Sequence, residues 1–275
     1  MTTKPPDPLD YALHLSEDER KRFRMMAARA RNEEGALWAA AGVRSGAHVA
    51  DIGCGPGAVL VELARIVGDD GEIIGVEPDP VARAAADEEI GAAGLHTVRV
   101  VEGTGTASTL AEGSFDTVMV RHVLFHVGPA APAVVDHCAL LLRPGGHLYL
   151  VDTDADASRI ALADPDPDAA DLAVRYRTFQ EGRGCNIGIG PLLGPLLLSA
   201  GLELIERVAY YQVVPAAVLS TGGPLVAAIP AMIAAGAATV ADEERWRAGL
   251  RRVAAIPGAA LFVPLFIAVG RRPPR

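Results

Sequence analysis

Cysteine, aromatic residues and positive charge are all scarce in this 275-residue sequence. Its three cysteines, Cys54, Cys138 and Cys185, are odd in number and widely spaced, which excludes a disulfide framework and the ligand spacing of a zinc site. The formal net charge of −9 argues against nucleic-acid binding, which needs clustered lysine and arginine. No positively charged, apolar leader opens the sequence, so we expect a reducing, cytoplasmic location.

Uninterrupted apolar helices of membrane-spanning length are also lacking. Residues 213–240 are nearly uncharged, but Pro224 and Pro230 interrupt them, which predicts two short buried or lid helices instead of a membrane span. Half of all residues are nevertheless apolar, and a chain of this length can bury a complete core. We therefore predict one domain over residues 10–275, preceded by a disordered arm at residues 1–9.

The segment VADIGCGPGA at residues 49–58 organises the rest of the sequence. An apolar lead-in reaches Asp51, and an apolar helical run closes the segment. Between them glycine occupies alternate positions, at Gly53, Gly55 and Gly57. Glycine adopts positive φ without steric cost, and the free N–H groups at a helix start favour an anionic or electron-rich ligand group. The pattern predicts a strand, a tight turn and a helix that together bind a nucleoside-bearing cofactor.

Strand-like and helical stretches alternate five times along the first half of the chain. The predicted strands after the first are residues 72–76, 97–101, 115–120 and 147–151. This alternation requires a parallel sheet with helices on both faces, and ligands of such sheets bind beyond the carboxyl ends of the strands. The polar residues at those ends are Asp51, Glu77, Thr104, Arg121 and Asp152.

Two cofactor classes fit the glycine loop. Gly53, Gly55 and Ala58 satisfy the spacing of the dinucleotide fingerprint, and Glu77 follows where a ribose-binding acid is expected. Asp51, however, stands at a strand end that a dinucleotide fold usually keeps apolar. A nicotinamide-dependent oxidoreductase with a Rossmann fold therefore stays open as the alternative to an adenosylmethionine enzyme.

The loop GCGPG after Asp51 resembles motif I of the class I S-adenosylmethionine-dependent methyltransferases. Further landmarks of that family are GVEPDP at 75–80, the strand start at Phe115-Asp116, and LLRPGGHLYLVD at 141–152. The opening YALHLSEDERKRF and the segment GRGCNIGIGPLLGPLLLSAGLE resemble its UbiE-like, small-molecule branch. The resemblance implies S-adenosyl-L-methionine as cofactor, S-adenosyl-L-homocysteine as product, and a carbon, oxygen or nitrogen atom of a small metabolite as methyl acceptor.

The resemblance also implies a fold. It is an α/β, Rossmann-like, seven-stranded and mostly parallel sheet with helices on both faces, and with helical insertions before and after the sixth strand. Residues 10–45 would form an N-terminal helical lid, and residues 46–152 the cofactor-binding core. Residues 153–275 would supply substrate-lid helices and the last two strands.

Carried over onto this sequence, the family's cofactor residues are Asp51, Gly53, Gly55, Gly57, Glu77, Thr104 and Arg121. We add Pro78 and, from the interpretation of the N-terminal helix as a lid, Tyr11 as predicted cofactor contacts. Glu77 is expected to accept the ribose hydroxyls, and Arg121 to act largely through its backbone. Thr104 stands where the family often has an aspartate for the adenine amino group, and its hydroxyl could accept the same bond. Tyr11 or Arg22 is expected to reach the methionine carboxylate.

Candidate catalytic groups are His122, His126 and Asp152, because a general base is needed where the acceptor must lose a proton. The two histidines are four residues apart and would share one face of a helix. No HExxH motif or third ligand accompanies them, so we expect no metal. Asp152 could orient the substrate or cap the following turn.

Several alternatives stay open from the sequence. The abundance of apolar residues over 187–265 predicts a largely apolar acceptor pocket. Methylation could trigger a further reaction of the acceptor, such as cyclisation, or the chain could be a catalytically silent relative that only binds adenosylmethionine. The N-terminal helix and the apolar lid could also serve a homo-oligomer interface.

Overall fold

The computed structural model of the chain describes residues 17–162, 164–219 and 222–274. The arm predicted for residues 1–9 and the predicted cofactor contact Tyr11 lie outside the described residues.

Within the described ranges, eight strands form one mixed sheet. They are β1 (His48–Ile52), β2 (Glu72–Val76), β3 (Val98–Val101), β4 (Phe115–Arg121), β5 (Leu142–Thr153), β6 (Arg159–Ile160), β7 (Glu203–Pro215) and β8 (Ala260–Arg271). The order is β3-β2-β1-β4-β5-β8, and both β6 and β7 pair with β8. The first five strands are parallel and β8 is antiparallel to β5, which confirms the predicted mostly parallel sheet.

The prediction of seven strands misses β6. Residues 154–168 are rich in acids, alanine and proline and indicated a loop or helix start, whereas Arg159 and Ile160 pair antiparallel with the beginning of β8. A strand of two residues has too few side chains for period-two alternation to show in the sequence.

The helices are α1 (Glu17–Ala40), α2 (Ala58–Val67), α3 (Pro80–Ala92), α4 (Leu124–Val127), α5 (Ala131–Leu141), α6 (Pro167–Gly182), α7 (Leu193–Ser199), α8 (Ala216–Leu219), α9 (Pro224–Ala227), α10 (Ile229–Ala234) and α11 (Val240–Ala254). The helix α2 has the bounds that its sequence predicts. The helix expected over 129–142 begins as a 3₁₀ turn at Gly128–Ala130 and continues as α5.

Successive residues of the central strands point to opposite faces of the sheet, and each face is buried under its own helices. On one face Ala50 and Val118 belong to a core shared with α5 and α7. On the other face Val49 and Met119 belong to a core shared with α1, α2 and α3. Burial on both faces explains why these strands read as continuous apolar runs.

The helices α6, α8, α9, α10 and α11 form a separate unit, which we call the helical cap. Its core contains the fully buried Trp246. The indole Nε1 of Trp246 donates to the Asp171 carboxylate at 2.8 Å, and Arg245 bonds Asp168, Asp171 and Asp242. The apolar residues of the second half are therefore used largely to pack this cap on itself.

Two stretches, Leu124–Leu141 and Ala216–Ala234, are long and apolar enough to cross a membrane by length and composition. In the structure the first consists of α4, a 3₁₀ turn and α5, and half of it is buried. The second comprises α8, α9 and α10, and it crosses residues 220–221, which lie outside the described ranges. Neither apolar stretch is therefore a single continuous helix in the structure.

We expect Trp246→Phe to destabilise the helical cap while leaving the affinity for S-adenosylhomocysteine unchanged. The variant loses a hydrogen bond to a charged group, worth roughly 1.5–3 kcal/mol, at a residue far from the glycine loop. Urea unfolding would measure the loss of stability, and calorimetric titration would measure the affinity. A parallel fall in affinity would mean that the cap supports the cofactor site, which would contradict its packing as a separate unit.

Candidate active site

A cavity of about 490 Å³ opens at the carboxyl ends of β1, β2 and β4, beneath α1. Its volume is within the range of roughly 300–1,000 Å³ that is usual for small-molecule and cofactor sites. The predicted site residues that line it are Asp51, Gly53, Gly55, Glu77, Pro78, Thr104, Arg121, His122 and His126. The sheet topology thus brings most of the predicted residues to one place.

The glycine loop has positive φ angles at Gly53 (75°), Gly55 (53°) and Gly57 (80°), as the sequence predicts. The N–H of Gly53 donates to the carbonyl of Val76 at 2.7 Å, which ties the loop to the end of β2. Gly57 does not line the cavity. A Cβ there would lie 2.9 Å from the Cβ of Ala86, so this glycine permits close packing of α2 on α3.

Glu77 shapes the glycine loop from the end of β2. Its carboxylate accepts hydrogen bonds from the backbone N–H groups of Gly55 (2.9 Å) and Asp79 (3.0 Å). Burial raises the pKa of Glu77, and the two backbone hydrogen bonds oppose that rise. A carboxylate has about four acceptor positions, so two acceptor positions are left for the ribose hydroxyls. That ribose contact stays a prediction.

Asp51 is the most isolated polar group of the site. It is 2% exposed, and its Oδ1 has no hydrogen-bond partner among the described residues. Burial raises the pKa of Asp51 to about 7; the positive charge of Arg121 opposes the rise and the negative charge of Glu77 adds to it. A buried carboxylate oxygen without a partner is costly, and a ligand that donates a hydrogen bond or carries a positive charge would compensate it.

The side chain of Arg121 lines the cavity, but its hydrogen bonds go to α1. Both of its terminal nitrogens bond the carboxylate of Glu34, which is 2% exposed. The same carboxylate accepts from Tyr149 Oη at 2.7 Å and from Trp38 Nε1 at 3.3 Å. We call Glu34, Trp38, Arg121 and Tyr149 the Glu34 network.

The sequence prediction missed the Glu34 network. One signal was present: Glu34 lies four residues before Trp38, so a helix places the acid on the same face as a large apolar residue. An acid on a buried helix face needs a cation, and Arg121, which is 87 residues away in the sequence, supplies it.

His122 and His126 both line the cavity, but not for the predicted reason. His122 has φ 55° and precedes α4, whereas His126 lies within it, so the shared helix face is wrong. Burial lowers the pKa of both rings to about 4, aided by Arg121 at His122 and by Arg183 at His126. Both imidazoles are therefore neutral at physiological pH and able to accept a proton. Among the described residues, no group of three or more metal-ligating side chains occurs.

Asp152 does not reach the cavity. Its Oδ2 accepts from the N–H of Phe125 and its Oδ1 from the N–H of Thr153, each at 2.9 Å, and the residue is 1% exposed. The carboxylate holds the start of α4, whose free N–H groups need an acceptor. The predicted role in substrate orientation is therefore wrong. The carboxylate does cap a helix start, but that of α4 and not, as the sequence predicts, the turn that follows Asp152.

Two other expectations concern side chains at the rim. Arg22 bonds Glu19 and the Sδ of Met26 and does not line the cavity, so its predicted contact with the cofactor is not supported. Thr104 does line it, with its Oγ1 3.3 Å from Oγ1 of Thr106.

The prediction that residues 187–265 form the apolar acceptor pocket is also wrong. Of the described residues between 187 and 265, Gln212 and Leu265 line the cavity. Its apolar roof comes instead from α1, through Phe23, Met26, Ala27 and Ala30. The helical cap packs its own apolar side chains together and leaves few for the site.

Comparisons with known proteins agree with this geometry. Residues 50–150 match the methyltransferase domain family. The nocamycin O-methyltransferase of Saccharothrix syringae is 41% identical over 110 residues, which are 39% of this chain and 38% of that protein. A ubiquinone biosynthesis O-methyltransferase of Xanthomonas euvesicatoria is 36% identical over 120 residues, which are 43% of this chain and 48% of that protein. The chain thus spans less than half the length of these two relatives.

The fold has solved counterparts. The crystal structure of a Bacillus halodurans protein assigned as a methyltransferase superposes with a TM-score of 0.58 at 17% identity, covering 88% of this chain and 99% of that one. Identity this low shows the fold alone. Taken together, the family match over residues 50–150 and the two sequence relatives show that the part of the chain with the glycine loop and its acids is similar to S-adenosylmethionine-dependent methyltransferase domains.

Proposed function

We propose that this protein transfers a methyl group from S-adenosylmethionine to a small, largely apolar molecule. The observation that carries the proposal is the buried, unpartnered carboxylate oxygen of Asp51 in a cavity bounded by the glycine loop. This oxygen has no hydrogen-bond donor among the described residues, and the ammonium group of a ligand would supply a positively charged one.

The residues present fit the cofactor along the whole cavity. The ammonium of its amino-acid part would lie at Asp51, and its ribose at Glu77. Its adenine would lie near Thr104, where Val127 and Val134 supply an apolar wall. When bound, the cofactor supplies an activated methyl group on a sulfonium sulfur. The glycine loop admits the cofactor because no side chain projects from Gly53 or Gly55.

The protein contributes mainly positioning to such a reaction. Holding the acceptor atom in line with the methyl group at near-attack distance is worth up to roughly 7–11 kcal/mol. The acceptor would lie between the apolar residues of α1, Phe23 and Met26, and the neutral imidazoles of His122 and His126. His122 is the better candidate for the base, because its strained, left-handed backbone is a conformation that folds retain mostly at functional sites.

The named relatives favour oxygen over carbon or nitrogen as the acceptor atom, because the two with the identities given above are O-methyltransferases. His122 would accept the proton of a hydroxyl acceptor as the methyl–oxygen bond forms and the methyl–sulfur bond breaks, which would leave the sulfur as a neutral thioether. Because a pKa of about 4 makes the His122 imidazole a weak base, the acceptor hydroxyl must itself be acidic, such as that of a phenol or an enol.

The test is to incubate the protein and S-adenosylmethionine with a panel of phenols and enols. Turnover is measured as S-adenosylhomocysteine formed and as the gain in mass of the acceptor. We expect His122→Asn to lower kcat by roughly 10²–10⁴-fold, which is the usual contribution of a general base. Asparagine tolerates the left-handed backbone, and the affinity for S-adenosylhomocysteine should stay within about threefold.

His147→Asn is the matched control, because His147 lies on β5 and does not line the cavity. Full activity of His122→Asn would transfer the role of base to His126. Tight cofactor binding without turnover of any acceptor would instead favour a catalytically silent relative.

A cytoplasmic location and a homo-oligomeric state stay predictions. In support of a reducing compartment, Cys54, Cys138 and Cys185 are all free thiols.

A further inference from the structure

Arg121 lies between two buried carboxylates but bonds only one of them in the structure. Its strand neighbour Val120 pairs with Ile52, so Arg121 lies beside the end of β1 that carries Asp51. Both terminal nitrogens of the guanidinium nevertheless turn to Glu34 of α1. Among the described residues, Oδ1 of Asp51 has no hydrogen-bond partner.

The Glu34 network is strong enough to hold the guanidinium there. A bidentate arginine–carboxylate pair is among the strongest hydrogen-bonded arrangements in proteins. Tyr149 and Trp38 add two donors to the same carboxylate, and the guanidinium also lies 5.7 Å from the Trp38 ring centroid. Arg121 and its partners lower the pKa of Glu34, although burial alone would raise it. Glu34 is therefore ionised whenever the protein is folded near neutral pH.

We propose that Glu34 is a positioning residue for the cofactor. By holding the Arg121 guanidinium against α1, Glu34 leaves the Asp51 carboxylate free to bind the cofactor's ammonium group. The inference rests on the proposed function, since it takes adenosylmethionine as the ligand, and it adds a residue outside the glycine loop to the cofactor site.

The arrangement makes cofactor binding depend on pH. The charged groups that act on Asp51 are Arg121 at the end of β4 and Glu77 after β2. The other titratable groups that line the cavity with it include Cys54 of the loop, His122 after β4 and Glu34 of α1. Asp51 must be ionised to bind an ammonium, and its pKa of about 7 places that ionisation in the neutral range. Affinity for S-adenosylhomocysteine should therefore fall about tenfold for each pH unit below 7.

The experiment is calorimetric titration with S-adenosylhomocysteine from pH 5.5 to 8.5, on the wild type and on Glu34→Gln. Without the Glu34 charge, the guanidinium turns to Asp51, competes with the ammonium and lowers the pKa of Asp51. We expect the variant to bind about tenfold more weakly at pH 8 and to lose most of the pH dependence between pH 6 and 8.

The double variant Glu34→Gln/Arg121→Gln separates this role from a purely structural one. It removes both charges of the pair, so no guanidinium can bond Asp51, and we expect the pH dependence to return. Its midpoint should lie somewhat above that of the wild type, because the Arg121 charge no longer opposes the rise in the pKa of Asp51. A variant that merely loosened α1 would not be rescued by a second deletion in the same interface. Thermal unfolding of the unliganded variants at each pH shows that each is folded.

Glu62→Gln is the control for loss of a buried acid that contacts α1. Glu62 lies on α2, forms an ion pair with Arg31 of α1 at 3.0 Å, and does not line the cavity. Its variant should keep the wild-type pH profile. Asp51→Asn should bind weakly at every pH, which identifies Asp51 as the titrating group and separates it from Asp152, whose pKa is also about 7.

An unshifted pH profile in Glu34→Gln would overturn the inference, as would wild-type binding that is constant between pH 6 and 8. Neither result would affect the proposed function, because the wild type would still bind the ligand. Absence of S-adenosylhomocysteine binding by the wild type at every pH would instead refute the proposed function.

Discussion

Asp51→Asn is expected to stabilise the folded protein above pH 7 while weakening cofactor binding. Burial holds the pKa of Asp51 at about 7 in the folded chain, against an ordinary value of 3.8. Between these values the folded state binds more protons than the unfolded state, so the free energy of unfolding falls as the pH rises. Removing the ionisable group should recover roughly 2–4 kcal/mol at pH 8 and nothing below pH 4.

The same substitution removes the charge that the ligand needs. Truncating one member of a buried charge pair costs roughly 2–5 kcal/mol, so we expect the affinity for S-adenosylhomocysteine to fall by about 30-fold or more at pH 8. Urea unfolding at pH 4 and pH 8 measures the first effect, and calorimetry measures the second.

Asp116→Asn is the matched control for this trade-off. Asp116 is a buried acid near the amino end of β4, where it accepts from the N–H of His48 at 3.0 Å and pairs with Arg44 and Arg143. Its variant should lose stability and keep its affinity. If Asp51→Asn were instead less stable than the wild type at pH 8, the Asp51 carboxylate would have a stabilising partner in the folded protein. That would contradict the finding that its Oδ1 has none among the described residues.

Gly53→Ala is expected to disrupt the loop and abolish cofactor binding. The φ of 75° at this position costs a non-glycine residue about 1–2 kcal/mol, and a Cβ would lie 2.4 Å from Cγ2 of Val123. Valine is stiff at χ1, so the clash must be relieved by the backbone, at a further cost of roughly 1–3 kcal/mol. The loop would shift away from Val76, which its N–H now bonds.

Gly55→Ala separates strain from clash, because its φ is 53° but no atom lies within 4 Å of the added Cβ. Its loss of stability in urea should be limited to about 1–2 kcal/mol. The double variant Gly53→Ala/Val123→Ala should recover part of the stability of Gly53→Ala. Equal losses for the two glycine variants would show that the approach of Val123 is unimportant.

The elements that the sequence predicts well are those with strong local signals. The helix α2 follows a glycine turn and is apolar on one face, and its predicted bounds match the structure. The strands β1, β2 and β4 are buried on both faces and are rich in consecutive apolar residues. Because parallel strands end at one edge of the sheet, the clustering of Asp51 and Glu77 follows from topology alone.

The failures concern contacts between distant segments. Glu34 and Arg121 are 87 residues apart, and no local pattern pairs them. Asp152 lies at a strand end like the cofactor acids, but the turn before α4 directs backbone N–H groups onto it. An apolar second half of the sequence is as compatible with a substrate pocket as with a packed core. The structure shows a packed core, formed by α6 and α8–α11.

The most direct test of the account is calorimetric titration of the wild-type protein at pH 8 with S-adenosylhomocysteine, in parallel with NADH. We expect micromolar binding of S-adenosylhomocysteine and no binding of NADH, since Asp51 offers a carboxylate to an ammonium group that NADH lacks. Binding of NADH alone, or of neither ligand, would contradict the assignment of the glycine loop and of every site residue that depends on it.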